Sequence, residues 1–294
     1  MHENFQYASP LADGAEAGVS RWGMRIASLH SYPVKGGRRL DHDEAGVEPH
    51  GLAGDRRWMI VDDRGVGITQ REVPGLSRLQ ARPRPGGLDL AAPGMPPRRI
   101  AEPVDGPKEF ARVFSGKPPV PVRLAADDGW LAGYLGVPAR LTWQADPTGR
   151  PIERHARASD RVNMADAYPM LIVNTASLSA LNDWLAEAGE DPVPITRFRP
   201  NLVVAGAPPW AEDEWLGRRL RVGAVTFRAA EACNRCVVTT VDQDTGERTG
   251  QPLKMLGQRR RFPDGLLFGT GLIPDVTPGS TGIIRVGDEV TLLS

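Results

Sequence analysis

Residues 201–242 read NLVVAGAPPWAEDEWLGRRLRVGAVTFRAAEACNRCVVTTVD. Within this stretch, NLVVAG (201–206), RRLRVG (218–223), AVTFRAAEA (224–232) and CVVTTVD (236–242) are short runs rich in β-branched side chains, separated by Gly, Pro and acidic residues. Such runs, bounded by turn residues, read as strands. The tail GIIRVGDEVTLL (282–293) continues the pattern. Strands following strands, without long helices alternating between them, predict a barrel or sandwich rather than βα units.

Working outward, the same texture covers the first half. RIASLHSYPV (25–34) reads as a strand ending at Pro33, and RWMIVD (57–62) as another. DDRG (62–65) is a turn signal before Ile68–Gln70, which predicts a hairpin. Residues 83–122 are rich in Pro and Gly and allow only short strands and long connections. A helix is predicted from Asp127 to Leu135, capped by Asp127 or Asp128 and stopped by Gly136. The polar segment 144–163 reads as a linker or a lid loop. YPMLIV (168–173) is a short apolar run. Ser177–Ala188 follows as a helix, with Leu178, Leu181 and Leu185 at helical spacing and Thr175 or Ser177 as its cap.

Composition narrows the function classes. At 294 residues, two domains or one large one are expected. Gly 33 and Pro 27, about a fifth of the chain, argue against a helical bundle. Thirty-six basic residues balance 36 acidic ones, so no net field recommends nucleic acid or an anionic membrane as partner. Two cysteines cannot form a disulfide scaffold. Residues 1–23 lack a continuous apolar stretch and contain Glu3, Asp13 and Glu16, so they read as a disordered extension rather than a targeting signal. No run approaches the roughly 18–20 apolar residues that span a bilayer, and a cytoplasmic location is expected. GxGxxG and Walker motifs are absent, which argues against NAD and ATP chemistry.

Both cysteines lie in one tetrapeptide, Cys233-Asn234-Arg235-Cys236. A dithiol redox centre usually places its first thiolate at a helix N-terminus, whereas β-branched residues follow here. A zinc site needs further ligands, and the five histidines show no paired spacing. One thiolate binding a soft metal or metal cofactor needs only a single cysteine. Two buried small hydrophobes would also account for the pair. Upstream, RFRPN (197–201) opens a strand with two guanidiniums and an amide, and Pro200 predicts an extended Arg199. Arg grips phosphate well, although a surface ion-pair cluster has the same composition.

Taken together, RFRPNLVVAG…CNRCVVTTVDQDTGE and the tail GIIRVGDEVTLL resemble the MOSC domain, named for the C-terminal domain of molybdenum-cofactor sulfurase. LHSYPVKG, GLAGDRRWMIVDDRG and ITQREVPGLSRL are similar to the β-barrel domain that precedes MOSC in one branch of that family. The likeness runs from about Arg25 to Leu293. The resemblance implies a mainly β, α+β fold with a few helices: a barrel-like domain over 24–145, then a MOSC barrel over 146–294. The branch it most resembles comprises molybdenum-dependent reductases of N-hydroxylated compounds, including the mitochondrial amidoxime-reducing component and its bacterial counterparts.

That resemblance implies molybdenum-molybdopterin as cofactor, with Cys236 as both thiolate ligand and catalytic residue. It implies cofactor contacts from Lys35, Arg56, Arg199, Asn201, Asn234 and Arg235. Thr175 and Ser177 are further hydrogen-bond candidates. Many relatives carry Ser after the YPVK lysine; Gly36 stands here, so only its backbone N–H remains. Cys233 has no implied metal bond, and Asp166 and Tyr168 are acid/base candidates. Pyridoxal phosphate binding is implied only at the level of the wider family. Some bacterial relatives carry a ferredoxin domain whose cluster needs four cysteines. This sequence has none after Cys236, so a separate electron-donor protein is expected, with Arg259–Arg261 as a candidate docking run or a solvated turn. The implied substrate is a small N-hydroxylated molecule and the expected state a monomer. A non-catalytic cofactor carrier or sulfur-transfer protein is the alternative.

Overall fold

The computed structural model describes residues 23–293. The expected disordered extension lies outside the described residues except for Gly23. The first half contains strands β1 (Arg25–Ser31), β2 (Leu40–His42), β3 (Glu44–Glu48), β4 (Gly51–Leu52), β5 (Trp58–Val61), β6 (Gln80–Arg84), β7 (Gly87–Ala91), β8 (Arg98–Ala101), β9 (Lys108–Ala111) and β10 (Val120–Ala126). Helix α1 (Trp130–Leu135) and β11 (Arg140–Trp143) complete it. The second half holds β12 (Met170–Asn174), α2 (Thr175–Glu187), β13 (Leu202–Ala205), β14 (Arg219–Val222), β15 (Val225–Asn234), α3 (Leu253–Arg259), β16 (Arg261–Phe262), β17 (Gly265–Pro274), β18 (Gly282–Arg285) and β19 (Val290–Leu293). The chain is mainly β, as its strand-rich sequence predicts.

The principal sheet has the order β19-β14-β15-β17-β12-β13-β1-β2, with β16 paired to β17. β1 therefore leaves the N-terminal half to pair antiparallel with β13. β18 in turn pairs with β3. Three smaller sheets, β5-β11-β10-β9, β6-β7-β8 and β18-β3-β4, complete the fold. The expected barrels are open. Main-chain bonds from Ile26 N–H to Asp288 O and from Val290 N–H to Met24 O, both 2.9 Å, draw the two sides together without a continuous ladder.

Strand periodicity sorts the core. On β12, Ile172 packs with Ile26, Leu202, Phe227 and Leu272. Its neighbour Val173 points the other way, joining Leu181 and Leu185 of α2 and Phe268. The N-terminal half has its own cluster around Trp58, Ile60, Leu76, Leu88 and Leu141.

Several local expectations are corrected. CVVTTVD is not a strand: Val237–Thr240 forms a 3-10 turn. Thr239 Oγ1 donates to Cys236 O at 2.9 Å and Thr240 Oγ1 to Val237 O at 2.7 Å, and these i−3 bonds close the turn against the β propensity of the run. The cap of α2 is Asn174, whose side chain accepts from Ala176 N–H. Helix α1 begins later than predicted, after Gly129, and ends at Gly136 as expected. The hairpin expected at DDRG is present but short: Asp62 N–H donates to Val66 O and Ile68 N–H to Ile60 O, both at 2.9 Å, and Val61 bridges Gly67 antiparallel, while Ile68–Gln70 itself forms no strand. Segment 144–163 is not a linker. Its Arg150 is buried and donates to Asn163 O at 2.6 Å and Asp166 O at 3.0 Å, pinning the loop to its own far end.

Candidate functional site

A cavity of about 390 Å³ opens where the two halves of the chain meet, within the size range of small-ligand sites. Lys35, Arg56 and Arg71 reach it from the N-terminal half. Asp166, Arg199 and the Cys233–Cys236 segment reach it from the other.

The cysteines arrive there because β15 is irregular. Its register against β17 shifts between Ala229 and Glu231, and again between Ala232 and Asn234. Up to Ala229 the strand alternates inward and outward. From the first bulge onward Glu231, Ala232, Cys233, Asn234 and Arg235 all line the cavity. Bulges re-aim side chains in this way at sheet margins. Cys236 then heads the 3-10 turn. Arg71 Nη2 donates to its Sγ at 3.3 Å. Arg235 Nη1 donates to Cys233 Sγ at 2.8 Å and Arg235 Nη2 to Phe198 O at 2.6 Å. Each thiol thus has its own guanidinium.

The cationic wall is built around Tyr32 and Asn201. The Arg56 guanidinium lies 4.5 Å from the Tyr32 ring centroid and that of Arg199 4.2 Å, cation–π distances that let two like charges share one buried ring. Burial raises the Tyr32 hydroxyl to about 12 and pushes Arg199 down to about 10. Arg199 donates to Gly37 O and to Gln243 Oε1, each at 2.9 Å. Contrary to the extended conformation predicted before Pro200, Arg199 is left-handed (φ 55°, ψ 49°). Arg56 also has positive φ, 48°. Strained backbone at two cavity arginines is costly, and the surrounding contacts must hold it. Asn201 is fully buried and supplies some of that hold. It accepts from Arg56 Nη1 at 3.0 Å and from Leu171 N–H at 3.2 Å, and donates to His30 O at 3.1 Å.

Gly36 has φ +79°, and a Cβ there would sit 2.6 Å from Leu76 Cδ2. Its carbonyl accepts from Gln70 Nε2 at 2.7 Å.

Opposite these cations stands Asp166, which forms an ion pair with Lys35 Nζ and lies 3.6 Å from Arg71 Nη2. Burial alone would raise the Asp166 carboxyl. The Lys35 ammonium, with Arg71 and Arg56 near, reverses this and holds it well below the usual carboxylate range. Lys35 itself is pushed down by burial, which outweighs the attraction of Asp166. Farther along the wall Tyr168 donates to Glu231 Oε2 at 2.8 Å, and Arg154 pairs with Glu231 Oε1. Burial, then the Glu231 carboxylate, raises the Tyr168 hydroxyl above its ordinary value.

Of the expected contacts, Lys35, Gly36, Arg56, Arg199, Asn201, Asn234, Arg235 and Cys236 line one cavity. Thr175 and Ser177 do not. Ser177 is buried beneath α2, donating to Glu212 Oε2 and accepting from Trp210 N–H. Asn234 spends its side-chain oxygen on Leu266 N–H at 3.1 Å. Arg260 is buried against Trp210 and paired with Asp213 at 2.6 Å, so the basic run is partly structural. Sequence reasoning missed Arg71, Arg154 and Glu231, of which Arg71 touches the Cys236 sulfur. Arg71 stood inside the ITQREVPGLSRL motif, but only folding brings it to Cys236.

Residues 23–138 match the MOSC N-terminal beta barrel domain, and residues 159–291 match the MOSC domain. The chain is 31% identical over 291 residues to mitochondrial amidoxime-reducing component 1 of Homo sapiens, covering 91% of this chain and 82% of that protein. It belongs to the MOSC family. To the same-named protein of Xenopus laevis this MOSC chain is 32% identical, covering 90% and 81%. It is also 27% identical to molybdenum cofactor sulfurase of Oryza sativa subsp. japonica, covering 91% of this chain but 35% of that longer protein. No helix among the described residues is long and apolar enough to cross a membrane.

Proposed function

We propose that this chain is a molybdenum-cofactor-dependent reductase that converts N-hydroxylated compounds to amines, with Cys236 as the protein ligand to the metal. The observation carrying this reading is the pairing of a half-buried thiol with a wall of cations that is only partly neutralised. Lys35, Arg56, Arg71, Arg154, Arg199 and Arg235 line the cavity against Asp166, Glu231 and Asp264, with the buried Asp55 paired to Arg56. Arg235 Nε is buried there without a hydrogen-bond partner. Among the described residues no three His, Cys, Asp or Glu side chains converge as a cage. A pterin that brings its own sulfur ligands and a phosphate suits one thiol ringed by guanidiniums.

In this reading Arg56, Arg199 and Arg235 bind the phosphate and pterin, and Asn201 fixes the aim of Arg56. Arg71 holds the Cys236 sulfur in place through its Nη2 donor. Lys35 Nζ, its proton loosened by burial, is the candidate proton donor of the cavity, with the Asp166 carboxylate as its ion-pair partner. When bound, the molybdenum centre supplies the two-electron chemistry that, with two protons, turns N–OH into N–H and water. The electrons come from a donor centre outside these 294 residues, since two cysteines cannot hold a four-cysteine cluster. The two free thiols accord with a reducing, cytoplasmic setting.

Reduction of benzamidoxime by the molybdenum-loaded protein with an artificial donor tests the proposal. Turnover supports it. A loaded but inactive protein favours the second reading, a cofactor carrier or sulfur-transfer protein, which the likeness to molybdenum cofactor sulfurase keeps open.

A further inference from the structure

Beyond the wall formed by Tyr168 and Glu231 lies a second cavity of about 250 Å³, reached by Lys117 and Glu153 on its far side. Arg154, Asp166, Ala167, Tyr168 and Glu231 line both spaces, so they form the partition between them. The centre of that partition is a carboxylate holding a guanidinium. Glu231 Oε1 is paired with Arg154, and Oε2 accepts from Tyr168 O–H at 2.8 Å. The two partners differ in how firmly they are held. The Glu231 side chain is 25% exposed, placed by the bulge in β15, whereas that of Arg154 is 70% exposed, on a surface loop. Residues 153–159 of that loop are all exposed, while Ile152 and Asp160 anchor its ends. The Arg154 main chain is held by Tyr168 O–H to Arg154 O at 3.1 Å, but its side chain is the freer of the two partners.

We propose that Glu231 is the specificity-determining residue for substrates that carry an amidinium or guanidinium group remote from the N–OH group, with Arg154 occupying that subsite until such a cation replaces it. This rests on the reading of the larger cavity as the site of N–OH reduction. The chemistry follows from what is there. A planar cation already sits on Glu231, making a charge-assisted bond of the kind a ligand guanidinium would make. Tyr168 O–H fills the second oxygen, so the carboxylate stays hydrogen-bonded through the exchange. Glu231 and Asp166, both on the partition, supply the negative charge that draws a ligand cation there against the cations lining the larger cavity. The second cavity gives its substituent room beyond the partition.

The test measures binding to the molybdenum-loaded protein by calorimetry, using phenylguanidine and its neutral counterpart phenylurea, neither of which has an N–O bond to reduce. The wild-type protein prefers phenylguanidine, Glu231→Gln loses about tenfold of that preference, and Arg154→Ala strengthens phenylguanidine binding severalfold. No preference in the wild type, a preference that survives Glu231→Gln, or weaker binding in Arg154→Ala each overturns the subsite. Benzamidoxime turnover is measured on the same wild-type sample. Its absence tells against the reductase and leaves the binding result standing; its presence with no cation preference rejects the subsite alone.

Discussion

Replacing Asp166 by Asn removes the carboxylate that neutralises Lys35 without changing side-chain size. Lys35 is 6% exposed, so it cannot turn to water for compensation. Two unit charges in contact attract by about 4 kcal/mol at an effective dielectric near 20. Stripping one partner from a buried pair costs about 3–5 kcal/mol. The Asp166 side chain is 52% exposed toward the cavity, so solvent screens part of this. We therefore expect Asp166→Asn to cost about 2 kcal/mol at pH 7. Lys35→Met should cost less, because Asp166 keeps Arg71 and the open cavity, and the double variant should recover part of the loss.

The sign with pH follows from the depressed Asp166 carboxyl. Its stabilisation is present above the ordinary carboxylate value of 3.8 and is lost as pH falls from there through the lower folded value. Urea denaturation of the four proteins at pH 7, then across the acid range, gives both numbers. Additive single-variant costs, or an acid limb as steep in Asp166→Asn as in the wild type, would refute the reasoning.

Phe198 is fully buried and stacks on Phe268 at 3.8 Å between ring centroids, so Phe198→Ala should cost about 3–5 kcal/mol in urea denaturation. Gly265 has φ +122°, and a Cβ there would fall 2.3 Å from Asn234 Oδ1. Gly265→Ala should then cost about 2–4 kcal/mol through strain and the displaced Asn234–Leu266 bond. Gly257, inside α3 with nothing nearer than 3.7 Å, is the contrast: Gly257→Ala should be neutral or stabilise by about 0.5–1 kcal/mol in the same assay.

Legibility in the sequence followed the range of the interaction. β1, β5, β14 and α2 were readable because alternation, helical spacing and punctuation are local signals. The pairing of β1 with β13 and of β18 with β3 was not, since partners so distant in the chain leave no local pattern. The 3-10 turn after Cys236 defeated propensity because threonine hydroxyls bonded backward to the main chain. Arg199 defeated the pre-proline rule because a buried ring and two carbonyl-type acceptors hold it in a strained conformation. The cavity itself was partly legible. Lys35, Arg56, Arg199, Asn201 and Cys236 came from motif resemblance, while Arg71 and the Glu231–Arg154 pair appear only once bulges and loop packing turn them inward. Thr175 and Ser177 lie off the cavity, and the Ser177 hydroxyl is already taken by Glu212 and the Trp210 N–H.

The account turns on one thiol. Molybdenum content per chain, measured by elemental analysis on protein produced with the cofactor available, compares wild type, Cys233→Ser and Cys236→Ser. We expect near-stoichiometric metal in the wild type, most of it retained in Cys233→Ser, and at least a tenfold loss in Cys236→Ser. Equal losses in the two variants, or full metal retention without Cys236, would contradict the assignment of Cys236 as the ligand.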